Sequence, residues 1–391
     1  MYQRLILDKM QKTKKSVLLL GPRQTGKSTL FNNIEVDLKI NLALEREFIK
    51  YLRHPGLLEE QVAMLSPKKS GQPRRILIDE VQRIPSILNT VQAIIDEQKC
   101  QFYLTGSSAR KLRRGQANLL PGRIHQYWLG PLTFEELGKD FNLEKALSLG
   151  TLPGIWTEET EDAEKTLETY SQTYIKEEIQ AESLTKNLEG FSRYLYSIAS
   201  WSGRQIDHTK VSTEAEIERT TASRYFEILE DTLLINRLDP FSNKAALGGV
   251  RRIIKHPRFY FFDQGVLNAL LQNFKVDNLR KGLLFEHLIY NQILSLAKGY
   301  DQLSKIRISF YRTESGSEVD FIIEKNEQLY AIEVKCSSNV GTSDLKGLAS
   351  FSEYIGNKKI KKRVFYTDTK PRKISDTEIL PWQQGLQELF S

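Results

Sequence analysis

Short, unbroken apolar runs punctuate the first part of the chain, and segments with helical spacing separate them. Val17–Leu20 is a buried-strand run that ends abruptly at Gly21. Asp37–Leu42 (DLKINL) predicts a second strand, and Glu45–Arg53 a helix that Pro55-Gly56 stops. Arg75–Ile78 is again strand-like and runs into Asp79-Glu80. Pro85 opens a helix to about Gln98, with Ile87, Leu88, Val91, Ile94 and Ile95 at helical spacing, before strands at Gln101–Leu104 and Ile124–Leu129. The pattern then changes. Helices are expected over Tyr170–Ala181 and over Leu188–Trp201, the latter burying Phe191, Tyr194, Leu195 and Ile198. Ile206–Glu214 and Glu218–Asp231 read as two helices joined by a short turn, followed by strands at Leu233–Leu238 and Phe259–Phe262. The last third predicts a helix over Lys281–Ala297 and strands at Ile306–Arg312, Glu318–Glu324 and Leu329–Lys335. A helix over Leu345–Tyr354 and a strand at Arg363–Thr367 close this αβββαβ order.

At 391 residues the chain calls for two or three domains, and 40% apolar with 27% charged residues is a globular composition. No apolar run approaches the roughly 20 residues that span a bilayer, so no membrane partner is expected. The N-terminal stretch lacks the apolar core of a secretory signal. Two cysteines, Cys100 and Cys336, are too few for a disulfide framework or a zinc site, which points to a reducing, cytoplasmic setting. A net charge of +7 and clusters at Arg110–Arg114, Arg251–Arg258 and Lys358–Lys373 tilt the balance toward a nucleic-acid partner.

The junction after Val17–Leu20 carries the chemistry. Gly21-Pro22-Arg23-Gln24-Thr25-Gly26-Lys27-Ser28, with Thr29 beyond, follows the P-loop pattern G-x-x-x-x-G-K-[ST] between a strand and a helix. Phosphate oxygens need converging backbone N–H groups, and glycine lets the loop curl around them. Lys27 is expected on the β- and γ-phosphates of ATP, and Ser28 on Mg²⁺. Asp79 at the end of its strand suits the Mg²⁺ shell, while Glu80 suits activation of the attacking water. Arg123 is the candidate arginine finger, since a guanidinium answers the charge of a transferring phosphoryl group.

The order GPRQTGKST, ILIDEVQRIP, FYLTGSSARKL and NLLPGR resembles the bacterial and archaeal AAA-type ATPases fused to a C-terminal domain of uncharacterised function, and the similarity continues to about residue 340. That resemblance implies a parallel sheet with the catalytic-glutamate strand between the P-loop strand and its neighbour. It also implies a γ-phosphate sensor at Thr105 or Ser107 and a Gly-x-x-Pro joint at Gly150–Gly154. No second sensor arginine is evident, so a ring, a smaller homo-oligomer and a single chain all stay open.

Downstream, two helices plus a two-stranded ribbon make a winged helix. Its second helix offers Arg219, Thr220, Thr221, Ser223 and Arg224 to phosphates and base edges. The C-terminal elements, with Asp320 in SEVDFII and Glu333-Val334-Lys335 in AIEVK, resemble the PD-(D/E)xK nuclease fold. Strand periodicity puts Glu333 and Lys335 on one face. Glu286, Asp320 and Glu333 would ligate Mg²⁺, or Mn²⁺ in its place, and Lys335 would orient a water or offset charge on the phosphorane. The expected architecture is therefore an α/β multidomain chain. A P-loop ATPase domain occupies residues 1–145, a helical and winged-helix domain 146–262, and a nuclease-like domain 263–391. Three functions fit: an ATP-driven nuclease, an ATP-dependent DNA-binding switch without cleavage, and a signalling or assembly ATPase with a protein partner.

Overall fold

The computed structural model describes residues 2–32, 34–66, 72–97, 100–107, 120, 122–174, 187–242, 256–356 and 358–391. The basic run Arg110–Arg114, most of Arg251–Arg258 and the later part of Tyr170–Ala181 lie outside the described residues. The chain divides into two compact units, Met1–Leu132 with Asp231–Leu234, and Thr133–Glu230 with Ile235–Ser391. Among the described residues no helix is long and apolar enough to cross a membrane.

The first unit is built on a five-stranded sheet of β1 (Ser16–Leu20), β2 (Leu38–Asn41), β3 (Arg74–Asp79), β4 (Cys100–Gly106) and β5 (Ile124–Trp128) in the order β2-β3-β4-β1-β5. Every pairing in it is parallel. Period-two alternation explains its two cores. Leu18 and Leu20 pack with Ile76, Ile78, Phe102 and Leu104 beneath the helix Ile87–Glu97. Val17 and Leu19 pack with Leu77, Tyr103 and Tyr127 on the other face, with Leu30 and Phe31 of the helix Lys27–Phe31. One expectation needs correcting. The strand beside the P-loop strand β1 is β4, and β3, which delivers Asp79 and Glu80, lies beyond it. Strand order is set by pairing between distant segments, which no local pattern specifies.

In the second unit the helix Leu188–Ala199 buries Phe191, Tyr194, Leu195 and Ile198, as its spacing predicts. The helices His208–Glu214 and Arg219–Asp231 follow, then β6 (Ile235–Leu238) and β7 (Arg258–Phe261), an antiparallel pair. Helix Lys281–Gly299 leads into a six-stranded sheet of β8 (Ile306–Arg312), β9 (Glu318–Lys325), β10 (Gln328–Lys335), β11 (Ile360–Tyr366), β12 (Arg372–Ile374) and β13 (Thr377–Pro381). Its order is β12-β13-β11-β10-β9-β8. β8, β9 and β10 pair antiparallel, while β10–β11 and β11–β13 are parallel. The expected αβββαβ order is present, extended by β12, β13 and the helix Trp382–Phe390. Helix Lys346–Ile355 lays Leu348 and Phe351 on Val319, Ile322 and Ala331. It approaches so closely that a Cβ on Gly347 would stand 1.7 Å from the Glu318 carbonyl oxygen, so only glycine fits there.

Two arginines that helped define basic clusters turn out to be interior. Arg258 is 2% exposed. Arg363 is buried between Glu378 and Glu388, at 2.9 Å from each. Neither belongs to a solvated basic face.

Candidate functional site

At the end of β1 the chain turns sharply. Gly21 donates its N–H to Gly106 at the end of β4, at 3.2 Å, and a Cβ on Gly21 would lie 2.3 Å from the Leu129 carbonyl oxygen. Gln24 and Gly26 are left-handed, with φ of 61° and 88°, and the helix Lys27–Phe31 starts immediately after. This is the curl that lets backbone N–H groups and a helix start face one anion. Thr25 Oγ1 donates to the Pro22 carbonyl at 2.8 Å, closing the loop on itself. Lys27 is buried, and its ammonium lies 2.8 Å from the Gly21 and Pro22 carbonyls.

Arg4, which sequence reasoning passed over, anchors the loop from outside. Its guanidinium is buried and donates to the carbonyls of Thr25 and Gly130, at 2.7 Å each. Arg4→Ala leaves both carbonyls without that donor and is expected to lower the stability of this unit by about 2 kcal/mol. Nucleotide affinity should fall with it. Chemical denaturation and a fluorescent-nucleotide titration check the two effects. No sequence signal marks Arg4, because its partners lie far along the chain.

The second wall of the site comes from β3 and β4. Asp79 is buried and accepts a hydrogen bond from the Thr105 hydroxyl, which in turn accepts the Glu80 backbone N–H at 3.0 Å. Thr105, one of the two sensor candidates, thus ties the two carboxylate residues to its own strand. Ser107, the other, donates to Glu80 Oε2 at 3.1 Å. Gln82 donates to the same carboxylate and also lies 2.8 Å from Ser107 Oγ. Gln82 was not singled out from the sequence, although its place two residues after Glu80 is a usable signal. Glu80 itself is left-handed, with φ 58°, a conformation that a residue other than glycine holds only when its surroundings impose it. Arg123, the arginine-finger candidate, forks onto Asp96 at 2.6 and 2.8 Å, and this contact holds the Asp96 carboxyl below its usual range.

In the second unit, β9 and β10 bring Asp320 and Glu333 together, one step beyond the Ile332–Phe321 pair in antiparallel register. Asp320 Oδ2 accepts the Val334 N–H at 2.8 Å, and Lys335 Nζ lies 2.9 Å from Glu333 Oε1. Glu333 Oε2 is buried and has no hydrogen-bond partner among the described residues. Glu286 enters from the helix Lys281–Gly299 and accepts the Tyr260 hydroxyl at 2.5 Å, with Arg258 Nη1 3.6 Å away. Burial and the charge of Asp320 push Glu286 up to about 8 and Glu333 well above the usual carboxylate range. Burial and Glu318 push Asp320 to about 6. Among the described residues no three His, Cys, Asp or Glu side chains gather closely enough to form a metal cage as they stand. Asp320 and Glu333 share one end of the β9–β10 pair, while Glu286 is engaged by Arg258 and Tyr260. Both of the latter lie on β7, and sequence reasoning assigned neither to this site.

Residues 13–138 match the family model described as an AAA domain. That match spans most of the first unit. Residues 140–277 and 281–384 match two domains of unknown function, DUF8612 and DUF4143. An uncharacterized protein of Mycobacterium tuberculosis is 25% identical over 333 residues, which is 84% of this chain and 71% of the relative. An uncharacterized protein of Haemophilus influenzae is 21% identical over 342 residues, 81% of each chain. Among solved structures, a DNA polymerase III gamma subunit-related protein of Thermotoga maritima is 12% identical at a TM-score of 0.23, covering 59% of this chain and 97% of its own. Can2 of Sulfobacillus thermosulfidooxidans, solved with cyclic tetra-adenylate, is 10% identical at a TM-score of 0.22 over 98% of both chains. At such scores neither likeness bears on fold or function.

Proposed function

We propose that this chain binds and hydrolyses ATP with Mg²⁺ and that its nucleotide state governs how the second unit engages DNA. The observation that carries the ATPase reading is the P-loop Gly21–Ser28 on β1 with Asp79 and Glu80 delivered by β3 and bridged through Thr105. Lys27 meets the β- and γ-phosphates, Ser28 and Asp79 supply hard oxygen donors suited to Mg²⁺, and Glu80 takes the proton of the attacking water. Magnesium supplies charge neutralisation at the transferring phosphoryl group. Lys27→Ala is expected to reduce ATP turnover by about 10²-fold or more, because a fixed cation at the developing charge is lost. A variant turning over at the normal rate would remove the ATPase reading.

Contact with DNA is supported by the helix-turn-helix of His208–Glu214 and Arg219–Asp231 with the β6–β7 ribbon, and by the exposure of Arg219, Thr220 and Arg224 on the second helix. That affinity should fall steeply with salt.

Metal-dependent cleavage at the C-terminal set is the second reading, favoured by one observation. The buried, unpartnered Glu333 Oε2 next to Asp320 needs a cation or a donor, and a hard divalent ion suits two such carboxylates. Asp320 and Glu333 would hold it, with Glu286 drawn in from Tyr260, and Lys335 would orient a water. Plasmid and single-stranded DNA incubated with Mg²⁺ or Mn²⁺ test this. Wild type should cut, Asp320→Ala should not, and Lys27→Ala reports whether ATP gates the cut. No cleavage by any of them, alongside ATP turnover, would leave the DNA-binding switch.

A further inference from the structure

Apart from the sites above, a cavity of about 440 Å³ opens beside the helix-turn-helix, within the size range of small-molecule sites. Its walls are chemically biased. Trp201 supplies an indole, with the Lys210 ammonium 6.0 Å from its ring centroid. Arg219 and Lys210 bring fixed positive charge, and His208 and His256 bring two imidazoles. Asp207 is the one carboxylate among the described lining residues, and its Oδ1 already accepts the N–H groups of Thr209 and Lys210. Two polar atoms of lining residues, Gln205 Nε2 and His208 Nδ1, are buried without a hydrogen-bond partner among the described residues.

Positive charges gathered on a concave surface raise the local potential and attract an anion. A guanidinium and an ammonium together match a phosphate group, one as a planar fork and the other as a point charge. An indole face beside them is the platform on which nucleobases stack. Gln205 Nε2 seeks an acceptor, which a phosphate or a base carbonyl provides. The imidazole of His208 senses the same field. Burial first, and then Arg219, Arg237 and His256, hold its pKa below the usual value, opposed by Asp207.

We propose that this cavity binds a nucleotide through both ends, a phosphate monoester on Arg219 and Lys210 and an aromatic base on Trp201. The site is separate from the P-loop and needs neither ATP hydrolysis nor cleavage at Asp320. The ligand is either a free nucleotide or the terminal nucleotide of a single strand, since both present the same chemistry.

The test uses the full chain with thymidine 5′-monophosphate, thymidine, inorganic phosphate, and a short oligothymidylate with and without a 5′-phosphate. A pyrimidine monophosphate lacks the β- and γ-phosphates that the P-loop needs. Two local readouts are followed. One is the tryptophan fluorescence lost in Trp201→Phe; the other is the imidazole titration of His208, assigned with His208→Gln. The monophosphate should quench Trp201 and raise the His208 midpoint, because an added anion favours imidazolium. Thymidine and phosphate alone should each bind at least about tenfold more weakly than the monophosphate. Arg219→Ala and Lys210→Ala remove exposed side chains, so the fold should survive, as circular dichroism can verify, while each weakens binding about tenfold. Tighter binding of the phosphorylated strand than of the free nucleotide assigns the ligand as a strand end, and the reverse assigns a free nucleotide. The proposal is overturned by an unmoved His208 midpoint at millimolar monophosphate. Inorganic phosphate binding as well as the monophosphate would overturn it too, as would affinity unchanged in both cation variants.

Discussion

Glu80→Gln is expected to bind ATP as tightly as the natural chain while turnover falls by about 10²–10⁴-fold, the usual worth of a general base. The carboxylate of Glu80 is held by Ser107 and Gln82, and its backbone N–H is fixed to the Thr105 hydroxyl. A glutamine of the same shape keeps the left-handed backbone and can still meet these polar partners, so the loop should stay folded. What it cannot do is accept a proton from water. With the proposed roles, binding should be retained and the chemical step lost, which would separate this variant from Lys27→Ala, where the proposed phosphate contact should go as well. A fluorescent-nucleotide titration next to a phosphate-release assay measures both quantities. Turnover within about threefold of the natural chain would mean that another group takes the proton.

The second large effect concerns stability. Arg258→Met is expected to destabilise the second unit by about 2–3 kcal/mol, because it removes a buried guanidinium from two half-buried carboxylates. Arg258 pairs with Glu318 and lies 3.6 Å from Glu286, with its guanidinium carbon 4.6 Å from the centre of the Phe310 ring. Arg312 also reaches Glu318, at 3.1 Å, so that carboxylate keeps one partner after the substitution. Glu286 keeps only Tyr260 among these contacts. Removing one member of a buried pair costs more than removing both. Arg258→Met combined with Glu286→Gln should therefore recover part of the loss. Urea unfolding followed in this unit reads the midpoint, which should fall without a change of slope. A midpoint equal to that of the natural chain would show that β7 does not depend on this arginine.

Much of the fold was legible because it is local. The boundaries of Glu45–Arg53 and Ile306–Arg312 follow from breakers and alternation within each segment, and the buried stripe of Leu188–Ala199 from helical spacing alone. Period two likewise placed Glu333 beside Lys335 on one strand. The roles of Arg4, Gln82, Arg258 and Tyr260 were not legible in that way. A run of basic residues looks the same whether its arginines face water or a buried carboxylate. Arg258 and Arg363 are interior only because Glu318, Glu378 and Glu388 arrive from other elements of the fold.

By itself, then, the sequence determined the P-loop pattern and the Asp79–Glu80 pair, the αβββαβ order and the two successive helices His208–Glu214 and Arg219–Asp231, because each is written in contiguous residues whose spacing the backbone enforces. The tertiary structure alone decided that β4 stands between β1 and β3, that Arg4 clamps the P-loop, and that β7 delivers Arg258 and Tyr260 to Glu286. It also decided that Trp201, Lys210, Arg219 and His256 share one cavity. The reason is physical: strand pairing, burial of charge and enclosure of space depend on which distant segments meet, and chain folding settles that by packing and desolvation.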